Sequence, residues 1–263
     1  MNIRAGVIVF ACAVSAAALL SGCATVPVTG RSQLMFYGEK SDIELGEESW
    51  KQVLKQEKRS SNASYNQALN RIGPNLAQVA GRPDCKWEFV VCDSKEPNAF
   101  CLPGGKVAVY SALFELVGND AELATVVGHE VSHALARHGV ERMSQSALQS
   151  LGGALVTAAV GSEWDSAYQT TTGLALMLPY SRTQEYEADQ LGLILMAKAG
   201  YDPAAALTFW DKFRKLNRTG TVAEFLSTHP DGDKRLERLK QQLPAARLYY
   251  EKAAVRRGLG TVY

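Results

Sequence analysis

The chain has 263 residues, enough for one substantial core or two small domains. Apolar residues make up 46%, charged residues 21%, and the formal net charge is +1, the proportions of a globular protein. That balance argues against a nucleic-acid-binding protein, which shows a strong basic excess, and any attraction to a membrane must come from something other than global charge.

In chain order, the first candidate is the N-terminus. Asn2, Arg4 and the free amine form a short positive region, and Gly6 to Leu20 is apolar but shorter than a spanning helix requires. Leu20-Ser21-Gly22-Cys23 follows and resembles a bacterial lipobox. That resemblance implies a signal peptide over 1–22, acylation of Cys23 and a lipid anchor in a membrane. Ala24 stands where an aspartate would favour inner-membrane retention, which points to the periplasmic face of the outer membrane. Residues 23–37 read as a tether and 38–263 as one domain.

Ser41 to Lys58 and Asn62 to Val79 have helical spacing, the second with a kink or break expected at Gly73-Pro74. Lys86 to Cys92 reads as a strand. Asn98 to Tyr110 reads as strand, Pro-Gly-Gly turn and strand, so a small antiparallel sheet is expected. A helix follows, with Asn119 or Asp120 as N-cap and Gly139 past its end. Ser146 to Val160, rich in Ala, Gly and Leu, suggests a buried hairpin or a membrane-facing patch. Ser162 to Tyr180 is a further segment ended by Pro179. Ser181 caps a helix running to about Lys198, and Asp202-Pro203 opens another. Two short amphipathic segments, 233–243 and 245–255, close an α+β, mostly helical chain. Cys85, Cys92 and Cys101 lack metal-site spacing and fit one disulfide plus one free thiol.

The chemistry concentrates in His129-Glu130-Val131-Ser132-His133, inside a predicted helix. Residues four apart advance about 400°, so both imidazoles point the same way and can hold one zinc ion at about 2.0–2.1 Å. Glu130 lies close enough to act as the base that takes a proton from water. Only four histidines exist in the chain, and two occupy this motif. Catalytic zinc needs a third protein ligand. On a continuing helix His138 is about 140° from His133 and points away. The metzincin pattern would need histidine at 139 and glycine at 136, where Gly139 and Ala136 stand. His229 or a carboxylate remains. Among carboxylates, Glu185 and Asp189 are four apart and share a helix side, while Glu187 faces elsewhere. An aspartate beside such a ligand fits the pattern in which a carboxylate orients a zinc-bound histidine.

Taken together, H-E-x-x-H, the later Ser181-Arg182-x-x-Glu185-x-Glu187-Ala188-Asp189, Asn98-Ala99-Phe100 with Leu102-Pro103-Gly104-Gly105, and Ser227-Thr228-His229-Pro230 resemble one family. It is the gluzincin metallopeptidase family that includes the type 1 CAAX prenyl protease and the heat-shock protease HtpX. Within it, the chain resembles the lipid-anchored periplasmic members such as LoiP. The resemblance implies a zincin-type metallopeptidase domain with His129, His133 and Glu185 as ligands of one zinc ion and Glu130 as general base. It implies a gating or oxyanion-stabilising role for His229, with Arg235 nearby. Asn98, Ala99 and Phe100 would form a sheet edge that takes an extended peptide. The expected partners are unfolded or misfolded envelope polypeptides, with outer-membrane assembly machinery as a further candidate. A chaperone or assembly factor with gated proteolysis is the alternative reading.

Overall fold

A computed structural model describes residues 23–160, 179–217, 220–230 and 234–263. The elements in order are β1 (Cys23–Thr25), β2 (Ser32–Leu34), α1 (Glu39–Gln56), α2 (Ala63–Ala80), β3 (Glu88–Cys92), β4 (Ala99–Leu102) and β5 (Lys106–Tyr110). After a 3-10 turn at Ser111–Glu115 come α3 (Asp120–Leu135), α4 (His138–Val160) and α5 (Arg182–Lys198). The chain closes with α6 (Ala204–Asn217), α7 (Ala223–Thr228) and α8 (Arg235–Glu251). The fold is the expected mostly helical α+β arrangement with a small sheet. Strand order is β3-β5-β4. β4 pairs antiparallel with β5, as its tight Pro-Gly-Gly turn requires, whereas β3 joins β5 in parallel. β4 is therefore an edge strand.

The motif helix α3 runs through the centre. Its residues from Asp120 to His133 are all buried, and Leu123, Val126, Val127 and Val131 are fully enclosed. α2, α5, α6 and the sheet surround it, with Leu69, Ile72, Val109, Phe209 and Trp210 in the same core cluster. The closest approach is between α3 and α5. A Cβ on Gly192 would come within 2.9 Å of the His129 backbone nitrogen, and one on Gly128 within 3.2 Å of the Gly192 carbonyl oxygen. Two glycines at the crossing therefore let the helix axes come close, which brings the acidic face of α5 to the imidazoles.

The first turn of α3 has three backbone N–H groups that its own helix cannot satisfy. Asn119 accepts from Glu122 N–H at 3.0 Å. The C-terminal segment supplies the rest, since Asp120 N–H donates to Thr261 O at 2.9 Å and Ala121 N–H to Leu259 O at 3.0 Å. The buried Asp120 carboxylate is clamped by the Arg71 guanidinium at 2.7 and 2.8 Å, by the Tyr263 hydroxyl at 2.7 Å and by Thr261 N–H at 3.0 Å. Burial alone would raise its pKa, but Arg71, Thr261 and Tyr263 together outweigh it and hold it below the usual value. A carboxylate so depressed stabilises the fold fully above its unfolded pKa of about 3.9, and that contribution is lost as pH falls through the folded value. Asp120→Asn should cost about 2 kcal/mol at pH 7, the scale of lost charged hydrogen bonds. Urea unfolding of both proteins should show the gap closing on acidification. A gap that persists in acid would refute this linkage.

Several local features differ from the sequence expectations. α2 runs continuously through Pro74. The last two amphipathic segments are one helix that passes Pro244. Ser146–Val160 continues α4 as helix rather than turning back as a hairpin. The segment between α4 and Pro179 lies outside the described residues, as do residues 1–22. No described helix is long and apolar enough to cross a membrane. Cys85, Cys92 and Cys101 are free thiols. Part of the segment expected as a tether is a hairpin of β1 and β2 seated on the end of α3. Val26 is buried against Ala136 and Leu191, and Gln33 donates to the Ala136 carbonyl at 2.9 Å.

The end of α3 also differs. The helix stops at Leu135, and Arg137 rather than Gly139 takes the left-handed conformation, with φ of 56°. That position disfavours a side chain bearing Cβ. Arg137 is held there because its guanidinium pairs with Asp42 of α1 and donates to the Tyr37 carbonyl at 2.7 Å. Gly139 instead lies inside α4.

Candidate active site

His129 and His133 emerge on one side of α3, and their Nε2 atoms lie 3.1 Å apart. Glu185, from the first turn of α5, places Oε2 3.4 Å from His129 Nε2 and Oε1 3.4 Å from His133 Nε2. α5 starts at this point because Ser181 forms a capping box with Gln184, as its sequence suggests. His229, just past α7, brings Nδ1 within 3.2 Å of Glu185 Oε1 and Nε2 within 3.5 Å of Glu130 Oε1. Potential ligand atoms of His129, His133, Glu185 and His229 all lie within 4.8 Å of one another, and all four residues are buried.

The tautomers follow from the partners. Asp189 Oδ1 is 2.9 Å from His129 Nδ1, and a carboxylate only accepts, so Nδ1 carries the proton. Glu187 Oε2 is 3.1 Å from His138 Nε2, which therefore donates. The other nitrogen of a neutral His138 must then accept, and His133 Nδ1 donates to it at 2.9 Å. In their neutral forms both His129 and His133 thus turn a lone pair inward. Two such nitrogens in a dry interior repel unless a cation lies against both, and the Glu185 carboxylate faces the same point. This donor set fits zinc. Electrostatics agree. Burial alone would lower the His129 pKa, but Glu185 and Asp189 outweigh it and raise it to about 9. For His133 burial dominates and keeps the ring neutral, well below the imidazole range. Burial opposes ionisation of Glu185 as well, yet His229 and His129 hold its pKa well down. The cluster is built to take up positive charge.

Glu130 is fully buried, and neither carboxylate oxygen has a hydrogen-bond partner among the described residues. Burial raises its pKa, against the neighbouring His229 and His129. An enclosed carboxylate without a donor has its lone pairs available for a reacting proton. Arg235 of α8 lies beside the cluster. Its guanidinium sits 3.4 Å from the centre of the Trp210 ring and donates to Asp189 Oδ1 at 2.7 Å.

Beside the imidazoles, a small open cleft is lined by Ile43, Phe100, Leu102, His133, Arg142 and Tyr180, among others. Asn98, Ala99 and Phe100 stand at or next to edge strand β4, with Ala99 buried and Phe100 half-buried. Asn98 is already engaged on one side, its carbonyl accepting from Tyr110 N–H at 2.9 Å.

The sequence reading misses several groups. His138 does not point away. The break at Arg137 turns it back beneath His133. Glu187 faces elsewhere than Glu185, as its spacing implies, but the face it occupies belongs to the site through His138. Tyr180 stacks on His133 with ring centres 3.6 Å apart, and Arg142 covers the Tyr180 ring at 3.6 Å. No local pattern announces these two, since each reaches the site only through the tertiary path of the chain.

A zinc-ready donor set with an unpartnered acid beside it and a cleft along one face is the arrangement of a gluzincin metallopeptidase. Residues 63–243 match the sequence model of peptidase family M48, and the chain belongs to that family. It is 31% identical over 230 residues to the mitochondrial metalloendopeptidase OMA1 of Schizosaccharomyces pombe, covering 86% of this chain and 68% of that protein. The human metalloendopeptidase OMA1, mitochondrial, is 30% identical, covering 84% of this chain and 46% of the relative. The beta-barrel assembly-enhancing protease of Escherichia coli is 29% identical over 81% of this chain and 46% of its own length. The protein is a zinc metalloendopeptidase. These relatives are not the CAAX, HtpX or LoiP branches that the motifs suggested, so the resemblance holds for the family. The expected placement at the periplasmic face of the outer membrane is corrected. It rested on a short pattern around Cys23 and Ala24, and the OMA1 relatives from yeast to human are named as mitochondrial.

Proposed function

We propose that the enzyme hydrolyses peptide bonds in unfolded or misfolded polypeptides, with His129, His133 and Glu185 holding the metal and Glu130 as general base. The observation that carries this reading is the buried Glu130 carboxylate, which accepts no hydrogen bond among the described residues and is set beside three converging ligands. Zinc held there supplies a Lewis acid for the scissile carbonyl and acidifies water. Glu130 takes the proton from the attacking water and passes it to the leaving amine. Asp189 orients His129, and Arg235 neutralises Asp189 and holds it in place. His229 acts as a gate rather than an oxyanion donor. It is 1% exposed and its ring nitrogens already face Glu185 and Glu130, so it must give way for substrate to enter.

The free edge of β4 supports binding of an extended chain by backbone hydrogen bonds, which tolerate varied sequences. The adjoining cleft offers room for a side chain beside His133. The test is cleavage of unfolded casein by the full chain. Activity should disappear on treatment with a strong chelator and return with stoichiometric zinc. A zinc-loaded protein that suppresses aggregation yet cuts nothing would replace this reading with the assembly-factor alternative.

A further inference from the structure

The two imidazoles of the motif are oriented by different means. His129 leans directly on Asp189, a carboxylate of the neighbouring helix. His133 leans on another histidine, and the support continues outward. His138 donates from Nε2 to Glu187 at 3.1 Å. Glu187 in turn accepts from Arg31 Nε at 2.9 Å, from Arg31 NH2 at 3.0 Å and from the Thr29 hydroxyl at 2.9 Å. The same guanidinium forks onto Glu141 of α4 at 2.6 and 2.7 Å. Gln184 completes the group by donating to Glu141 at 2.7 Å. Thr29 and Arg31 belong to the turn and second strand flank of the β1–β2 hairpin, more than 150 residues from Glu187 in sequence.

Resting on the metallopeptidase reading, we propose that Arg31 is a positioning residue for the metal centre, acting through Glu187 and His138 to fix His133 with its Nε2 lone pair inward. Both carboxylates of this relay are buried, at 3% and 5% side-chain exposure, while Arg31 is 29% exposed. The charge that makes the relay tolerable therefore comes from the hairpin. Without it, two enclosed acids share one region, and Glu187 no longer has a fixed position from which to hold the His138 ring. His138 then loses its tautomer, and His133 is free to turn. The His129 side of the site keeps its own support, so the defect is confined to one ligand. Seating of the hairpin on the end of α3 thus becomes a condition for tight metal binding.

The experiment uses the full chain with two readouts: zinc affinity by competition with a chromophoric chelator, and the visible spectrum of the cobalt(II)-substituted protein. Outer partners of metal-bound histidines are worth about 10–100-fold in affinity. Arg31→Met and His138→Phe should each weaken zinc by that order and shift the cobalt bands. His138→Gln, whose amide can accept from His133 and donate to Glu187, should recover affinity to within about threefold of wild type. If His138→Phe fails to fold, the contrast between Arg31→Met and His138→Gln carries the test. A folded Arg31→Met that binds zinc as tightly as wild type, with an unchanged cobalt spectrum, overturns the proposal alone. Wild-type protein that binds no zinc overturns the metallopeptidase reading, and this proposal with it.

Discussion

Glu130→Gln abolishes casein cleavage while the protein keeps its zinc. The expected loss in kcat is at least about 10²–10⁴-fold, the contribution of a positioned general base. The substitution is nearly isosteric, and the site explains why it should be structurally mild. Glu130 is 0% exposed and neither oxygen accepts a hydrogen bond among the described residues, so the wild-type side chain is a buried acid that the fold tolerates at a cost. An amide of the same shape removes the ionisable group and leaves the ligands of α3 and α5 untouched. Stability should therefore hold or rise as activity disappears. Zinc content and unfolding temperature, measured beside the rate, separate a chemical defect from a folding one. Residual cleavage within tenfold of wild type would remove Glu130 from the role of base.

The second large effect is on the metal itself. Glu185→Ala should leave a protein that holds less than stoichiometric zinc after dialysis, with affinity reduced by more than the 10–100-fold typical of an outer partner. Glu185 supplies the carboxylate that faces both motif imidazoles, and it also meets His229 at 3.2 Å and Arg235 at 3.4 Å. Its removal leaves the imidazoles and the Arg235 guanidinium with Asp189 and Glu130 as the remaining neighbouring acids. The site then repels the cation it was built to attract. Asp189→Asn should be milder, because it disturbs the His129 tautomer and the Arg235 clamp but takes away no ligand. Metal analysis of the two variants side by side makes the comparison. Full zinc occupancy in Glu185→Ala would assign the third ligand elsewhere, with His229 the next to test.

What the sequence could convey was local. The spacing of His129 and His133 defines a shared face on any helix, and Asn119 and Ser181 mark where α3 and α5 begin because their side chains satisfy N–H groups within three residues. Glu185 and Asp189 share a side for the same geometric reason. The β4–β5 turn is legible in Pro103-Gly104-Gly105. What stayed hidden depends on residues far apart in the chain. The reversal at Arg137 is paid for by Asp42, some 95 positions away, and without that partner nothing distinguishes His138 from a residue on a continuing helix. The hairpin of residues 23–34 has too few apolar positions to reveal a strand pair, yet it seats on α3 and reaches Glu187. The parallel pairing of β3 with β5 likewise skips the intervening strand. The outer-membrane placement failed for a different reason: it was inferred from a short pattern around Cys23 and Ala24, and the mitochondrial relatives overturned it.

The crossing of α3 and α5 has a consequence for anyone reading a mutational screen of this enzyme. Gly128 and Gly192 bear no reactive group, but a Cβ on Gly192 would press on the backbone of His129 and one on Gly128 on the Gly192 carbonyl. Gly192 should score as intolerant as the metal ligands and Gly128 less so, and an interpretation based on loss of function alone would enrol Gly192 in the chemistry. Cellular abundance distinguishes the two cases. Inactive Glu130 variants should accumulate as intact protein, whereas glycine variants should be cleared before they ever meet a substrate.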